Sequence, residues 1–94
     1  HPNGLLDYVG LAGRGDEPIR SFSSGMRQRL KLAFALQASP RILLLDEPGV
    51  TLDEAGRELV ARVVAEQRAS GLVLLASNDP EEVALGDDVL RLGE

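Results

Sequence analysis

Cysteine is absent from the 94 residues, so the sequence offers neither a disulfide framework nor a thiolate metal site. Long hydrophobic runs are absent as well. The runs at residues 42–45 and 72–76, like every other run in the sequence, fall far short of the ~20 residues that a helix needs to cross a bilayer. Any link to a membrane is therefore expected to be peripheral.

Positive charge is also scarce, with 10 Lys and Arg against 15 Asp and Glu and a net charge of −5. A nucleic-acid partner requires a basic face that neutralises phosphates, so we expect no nucleic-acid partner. The opening residues, His1 to Gly4, contain neither an initiator methionine nor the regions of a secretory signal. We expect the sequence to start inside a longer gene product.

The remaining composition, with 44% hydrophobic and 27% charged residues, is ordinary for one small folded domain. Patterning predicts helices over residues 4–10, from 23 or 24 to about 38, from 53 until Gly71, and over 80–85. It predicts strands over 41–46, 72–76 and 89–92. This order of elements is that of an α/β fold with a parallel sheet.

Apolar spacing predicts which faces are buried. Residues 42–45 are all apolar, which predicts a strand buried on both faces. In the helix that starts near Ser23, the apolar stripe includes Phe34 and is wide enough to predict burial on more than one side. In the helix from Asp53, the spacing allows Asp53 to pair with Arg57 on the exposed face, and Arg62 to pair with Glu58 or Glu66.

The acidic pair Asp46-Glu47 follows the first strand directly, at the carboxyl edge where ligands of open α/β sheets gather. One carboxylate there can hold Mg²⁺ on nucleotide phosphates, and a second can take a proton from an attacking water. A core strand that ends in a solvated acidic turn would explain the same residues.

Residues 22–30 place two serines and a glycine where a helix begins. Free backbone N–H groups and the positive end of the helix dipole make such a position suitable for an anion. An ordinary serine-capped helix is the alternative interpretation of this segment.

Together, in this order and spacing, the two segments resemble the ATP-binding-cassette (ABC) ATPases. Residues 22–26, Phe-Ser-Ser-Gly-Met, are similar to the signature motif Leu-Ser-Gly-Gly-Gln, and 42–48 to the Walker B motif with its glutamate. Residues 49–53 correspond to the D-loop. The resemblance implies a partial P-loop NTPase-type sheet with flanking helices that lacks the N-terminal Walker A half. It divides the chain into a signature part, residues 1–40, and a Walker B, D-loop and switch-loop part, residues 41–94.

The resemblance also implies roles for single residues. Asp46 would help to hold Mg²⁺, and Glu47 would be the general base for water attack on the γ-phosphate of ATP. Asp53 would couple two ATP sites across a dimer, and it also suits a helix N-cap.

The signature residues would act on a partner. Ser23, Ser24 and Gly25 would contact ATP bound to a second ATPase subunit, identical or different. Integral membrane permease subunits would be further partners, which places the protein in the cytoplasm at the inner face of the cell membrane.

Three departures from the family's pattern change these expectations. No Gly-x-x-x-x-Gly-Lys-[Ser/Thr] segment is present, and Lys31 is the only lysine. The phosphate cradle is therefore expected upstream, and the isolated chain is expected to be inactive.

Ser24 and Met26 replace a glycine and a glutamine of the signature. Asn78 stands where the family has its switch histidine, and it would either contact phosphate as a neutral donor or, with Asp79, cap the next helix.

The function implied is the ATPase of an ABC transporter, of an exporter type similar to haem or multidrug exporters. A soluble ABC ATPase that acts on DNA, the ribosome or a scaffold is an alternative. The acidic charge and the compact helix between the signature and Walker B favour transport. A regulatory module that has lost catalysis is a second alternative, suggested by Asn78 and opposed by the retained Glu47.

Overall fold

The computed structural model describes residues 2–14 and 18–87. Two parallel strands and four α-helices make up this part of the chain. In chain order they are α1 (Pro2–Tyr8), α2 (Ser24–Leu36), β1 (Ile42–Asp46), α3 (Glu54–Ser70), β2 (Leu72–Ala76) and α4 (Pro80–Val83), with a turn of 3-10 helix at Ile19–Ser21. The predicted α/β class and parallel pairing are confirmed. The strand predicted over 89–92 lies outside the described residues.

The strands pair in register from Ile42 with Leu72 to Asp46 with Ala76, so their carboxyl ends meet at one edge of the sheet. A parallel pair needs a crossover connection, and α3 supplies it. Side chains cap the helices at the predicted positions: Ser23 caps α2 and Asp53 caps α3. Helices α1, α2 and α4 each end about two residues earlier than predicted, and the two residues after each of them form a turn.

The core lies on one face of the sheet. The inward-facing Leu43 and Leu45 of β1 are less than a tenth exposed and belong to one apolar cluster with residues of α2 and α3. The helix residues of this cluster are Leu32, Ala33, Leu59, Val60, Val63 and Val64. The three- and four-residue apolar spacing of α3 therefore predicts its buried face correctly.

The prediction that β1 is buried on both faces is wrong for the described part of the chain. Burial alternates along β1, with Ile42 56% and Leu44 67% exposed, and Leu72 and Leu74 of β2 are 52% and 53% exposed. The reason is that the described helices contribute to a core on one face only. Phe34 of α2 is likewise 64% exposed, because the described residues form a core on only one side of this helix. The prediction that α2 is buried on more than one side is therefore wrong for the described part of the chain.

No helix within residues 2–14 and 18–87 has the length and the apolar character that a membrane crossing requires.

Candidate active site

Asp46 is the last residue of β1 and lies beside Ala76, the last residue of β2. Its side chain is exposed, and it has no hydrogen bond or ion pair with the described residues. A carboxylate without a protein partner at the carboxyl edge of a parallel sheet is available to a ligand. The structure thus places Asp46 where the sequence predicted it.

Glu47 joins the ends of the two strands. Its backbone N–H donates to the Ala76 carbonyl oxygen at 2.7 Å, and its Oε1 accepts from the backbone N–H of Asn78 at 3.0 Å. Glu47 has a φ of +48°, in the left-handed region that residues other than glycine rarely adopt. Strained backbone of this kind is concentrated at functional sites, and here it directs the carboxylate toward the segment after β2.

Asn78 contributes its backbone to this edge, and its side chain is exposed. The cap of α4 is Asp79, whose carboxylate accepts from the Glu81 N–H at 2.9 Å. A capping role for Asn78 is therefore wrong, because Asp79 fills that role alone. A contact between the Asn78 amide and phosphate stays a prediction.

The signature residues have different surroundings. Ser23 Oγ accepts from the Met26 N–H at 3.1 Å, so this hydroxyl is used as the helix cap. Ser24 is the first residue of α2 and is exposed. At Gly25 an added Cβ would come within 3.3 Å of the Thr51 carbonyl oxygen, a tight contact with backbone. Glycine at this position lets the start of α2 lie against the D-loop segment, residues 49–53.

Gln28 ties α2 to the end of Walker B, a link that the sequence analysis missed. Its Nε2 donates to the carbonyl oxygens of Glu47 and Pro48, at 3.3 and 3.0 Å. In the sequence, the only indication of this contact was that Gln28 lies one turn into a helix that starts at a serine cap. Which backbone carbonyls it would meet depends on how α2 packs on β1, and spacing along the chain does not specify that.

Asp53 also has a partner that was not predicted. It caps α3 through the Gly56 N–H at 2.9 Å, as expected, but its ion pair is with Arg29 at 3.5 Å and not with Arg57. Arg29 in turn donates to the Val9 carbonyl oxygen at 2.8 Å. The tertiary pair replaces the local one because the start of α2 packs against the D-loop segment. Arg29, in α2, therefore contacts the residue that follows α1 and the residue that caps α3.

Mg²⁺ would enter such a site with ATP, as part of the substrate. Within the described ranges, no group of three or more His, Cys, Asp or Glu side chains is arranged to hold a metal ion. Mg²⁺ characteristically binds one or two carboxylates and takes its other ligands from phosphates and water. Asp46, exposed and without a partner in the described part of the chain, fits this kind of ion and not a cage made entirely of protein.

Tyr8, in α1, donates a hydrogen bond to the Glu66 carboxylate of α3, and the Arg62 guanidinium lies 5.2 Å from its ring centre. Burial, followed by the hydrogen bond and the negative charge of Glu66, raises the pKa of Tyr8 to about 12. These three side chains join α1 to α3, and none of the contacts among them involves Asp46 or Glu47. Their role is to fix the helices and not to supply chemistry.

Known proteins resemble the chain over most of its length. The model of the family described as ABC transporter matches residues 3–50. An aliphatic sulfonates import ATP-binding protein of Albidiferax ferrireducens is 46% identical over 91 residues, 94% of this chain and 33% of that protein. A linearmycin resistance ATP-binding protein of Bacillus subtilis is 36% identical over 80 residues, 84% of this chain and 26% of that protein.

A solved structure shares the fold. It is an ABC transporter of the metal-chelate type in an inward-facing conformation, with a TM-score of 0.70 and 28% identity. The match covers 89% of this chain and 35% of the solved one. The chain thus spans about a third of the length of the proteins it matches.

The relatives named above include an importer and a resistance protein, so the exporter type predicted from the sequence stays a prediction. What they share is an ATP-binding role, and the signature and Walker B segments of this chain lie within the match of the family model. The chain belongs to the ABC transporter family of ATP-binding proteins.

Proposed function

We propose that this chain is the signature and Walker B part of an ATPase subunit that powers an ABC transporter, within a longer polypeptide that supplies the P-loop. The observation that carries the proposal is the Glu47 carboxylate, held by the Asn78 N–H at the sheet edge beside Asp46, which has no partner among residues 2–14 and 18–87. On this proposal the isolated 94 residues are inactive, because nothing in their sequence matches a P-loop.

Glu47 is proposed to take the proton from the attacking water. Its Oε1 is engaged by the Asn78 N–H, which leaves Oε2 to accept a hydrogen bond from a water molecule. The water oxygen attacks the γ-phosphorus of ATP, the bond to the β,γ-bridging oxygen breaks, and the water proton passes to Glu47. Asp46 contributes an oxygen to the Mg²⁺ that accompanies ATP.

The signature is proposed to complete the ATP site of a second ATPase subunit. Ser24 is exposed at the start of a 13-residue helix, so its hydroxyl and the first N–H groups of α2 are accessible to a γ-phosphate. Asp53, paired with Arg29 next to the same loop, would couple the two sites. Membrane permease subunits are the proposed further partners, with the ATPase at the cytoplasmic face of the cell membrane.

The bare sheet face supports the proposal of a longer polypeptide. Ile42, Leu44, Leu72 and Leu74 are each more than half exposed and lie on one face of the parallel pair. Parallel sheets are stable when both faces are covered, so four adjacent aliphatic side chains require a further layer. The relatives, about three times as long, contain enough chain to provide one.

The direct test is Glu47→Gln in the complete subunit. The amide keeps the shape and can accept from the Asn78 N–H, but it cannot take up a proton, so turnover should fall by about 10²–10⁴-fold. ATP affinity should be unchanged. Glu54→Gln, at an exposed position of α3, is the matched control and should behave as wild type. Steady-state ATPase activity near wild type in Glu47→Gln would remove Glu47 from the base role.

A regulatory module without catalysis is the second candidate, and Asn78 is the observation that favours it. A neutral amide stabilises developing negative charge less than a protonated imidazole. Turnover by the wild-type complete subunit decides between the two candidates. Measurable hydrolysis that depends on Glu47 excludes the regulatory module, and ATP binding without hydrolysis supports it.

A further inference from the structure

Glu82 is a carboxylic acid in the interior, in the short helix α4. It is 5% exposed, although acidic side chains are rarely buried unless they are paired. Its Oε1 accepts a hydrogen bond from Ser77 Oγ at 2.5 Å. Its Oε2 is buried and has no hydrogen-bond partner among the described residues. A buried polar atom without a partner is costly, so its position calls for an explanation.

The unpartnered oxygen lies against Gly49, the first residue of the D-loop segment. A Cβ built on Gly49 would collide with Glu82 Oε2 and come within 3.2 Å of its carboxyl carbon. The φ of Gly49 is not in the left-handed region, so the close approach of the carboxylate, and not backbone conformation, is what a side chain would disturb. Glu82 and the D-loop segment are therefore in direct contact.

The other oxygen of Glu82 reaches the segment after β2, residues 77–79, here called the switch segment. Ser77 Oγ donates to Glu82 and accepts from the Asp79 N–H at 2.9 Å. The residue between them, Asn78, donates its N–H to Glu47. A single carboxylate thus holds the switch segment through one oxygen and packs on the D-loop segment through the other.

Glu47 lies between these two segments. It is bonded to the switch segment through its carboxylate and is two residues before Gly49 in the chain. Movement of either segment would shift the Glu47 carboxylate relative to an attacking water. A misplacement of about 1 Å at a catalytic group can cost about 10²-fold in rate.

We propose that Glu82 is a positioning residue for ATP hydrolysis, which keeps the switch segment and the D-loop segment in fixed relation on either side of Glu47. The role rests on the proposed function of Glu47 as the base. Glu82 touches neither ATP nor water on this proposal; it acts through Ser77 and Gly49. Loss of the carboxylate therefore affects the chemical step and spares ATP binding.

The test compares kcat and KM for ATP in variants of the complete subunit. Glu82→Ala should lower kcat by about tenfold and leave KM within about twofold, since the ATP cradle is elsewhere. Glu82→Gln should restore most of kcat, because an amide oxygen still accepts from Ser77. Glu81→Ala, at the exposed neighbouring position, is the matched control.

Gly49→Ala tests the second contact. Its methyl group displaces Glu82 Oε2, so kcat should fall, and in the Glu82→Ala background the same substitution should have little further effect. Such non-additivity is expected when two substituted groups are in direct contact. Full additivity of the two changes would overturn the proposed link through Gly49.

Each outcome bears on one of the two proposals. The positioning role is overturned if Glu82→Ala has wild-type kcat and only a lower melting temperature. It is also overturned if KM rises while kcat is unchanged, and in both cases Glu82 is structural. If Glu82→Ala fails to fold, Ser77→Ala carries the test: a lowered kcat at constant KM supports the role, and an unchanged kcat overturns it. Glu47→Gln is measured alongside, and retained turnover in that variant defeats the proposed function itself.

Discussion

The carboxylate of Glu47 is held by the backbone of Asn78 and not by its side chain, with 3.0 Å between Glu47 Oε1 and the Asn78 nitrogen. In the opposite direction, the Glu47 N–H donates to the carbonyl oxygen of Ala76. These two bonds join the ends of neighbouring parallel strands. Because a backbone N–H orients the proposed base, substitutions of the Asn78 side chain leave that orientation in place.

Ser24→Asp tests whether the signature contacts ATP on a second subunit. An aspartate in the first turn of a helix is stabilising by about 0.3–1 kcal/mol, so the fold should not suffer. Its charge, however, would face the γ-phosphate of the partner's ATP and repel it. We expect the complete subunit to bind ATP normally but to lose its ATP-dependent dimer, measured by size-exclusion chromatography.

The control for this experiment is Ser24→Asn, which has nearly the same shape without the charge and should still dimerise. Both variants are best made in the Glu47→Gln background, where ATP is not consumed. A dimer of normal strength in the aspartate variant would show that the start of α2 does not face phosphate. Gly25 is a poorer choice for this test, because a side chain there presses on Thr51 of the same chain.

Gln28→Glu tests the link between α2 and Walker B. The glutamate cannot donate to the Glu47 and Pro48 carbonyl oxygens, and it places a negative charge beside both. Leaving such groups unsatisfied costs about 1–3 kcal/mol, so the free energy of unfolding of the chain should fall by that amount. Gln28→Met loses the same bonds without adding charge and should be less destabilised. Urea unfolding curves that coincide with wild type would rule out the link.

Tyr8 should titrate at unusually high pH. Burial and Glu66 raise its pKa to about 12, so the folded state favours the neutral phenol. Its contribution to stability is complete below the pKa of about 10 of an unfolded tyrosine and is lost as the pH rises toward 12. The chain has one tyrosine and no tryptophan, which allows a direct absorbance titration.

Glu66→Ala removes both the hydrogen-bond acceptor and the nearby negative charge, so the pKa of Tyr8 should move down toward its ordinary value. Glu58→Ala, at another exposed position of α3, should leave the titration unchanged. If the Glu66 variant titrates like wild type, the contact between α1 and α3 is not formed in solution.

Local signals made much of the fold predictable. Asp53, with a periodic apolar run behind it, starts α3 where expected, and Gly71 ends it, because capping and helical spacing are properties of neighbouring residues. The exposure of Leu44 was not predictable in this way. An all-apolar strand predicts that both faces of the sheet are covered. The described helices cover only one face, so Leu44 on the other face is exposed.

The candidate site was also predictable where it depends on neighbouring residues, and not where it depends on tertiary packing. Asp46 and Glu47 were recognisable because they follow a strand directly, and strand ends share an edge in any parallel sheet. The contacts of Gln28 and Glu82 were not recognisable, since their hydrogen-bond partners lie 5 to 20 residues away, Gly49 lies still further from Glu82, and all depend on how the helices pack. Acidic residues are also common in the exposed first turns of helices, so the sequence of α4 did not indicate that Glu82 is buried.

Asn78→His tests the sharpest departure of this chain from its family. The Asn78 side chain is exposed and Asp79 caps α4, so the substitution should leave both the fold and the Glu47 contact intact. If the position faces the γ-phosphate, a partly protonated imidazole stabilises transition-state charge better than the amide. Hydrolysis by the complete subunit should then be about tenfold faster, which requires ~1.4 kcal/mol of additional stabilisation.

The gain should also depend on pH in a defined direction. It should be largest near about pH 6, where histidine is protonated, and fade toward about pH 8, where it is neutral. Asn78→Ala keeps the backbone N–H and removes only the amide, so it reports what asparagine itself contributes. Steady-state ATPase rates across this pH range, with melting curves for both variants, complete the test. Equal rates for asparagine, alanine and histidine would place the side chain at position 78 out of reach of the phosphate.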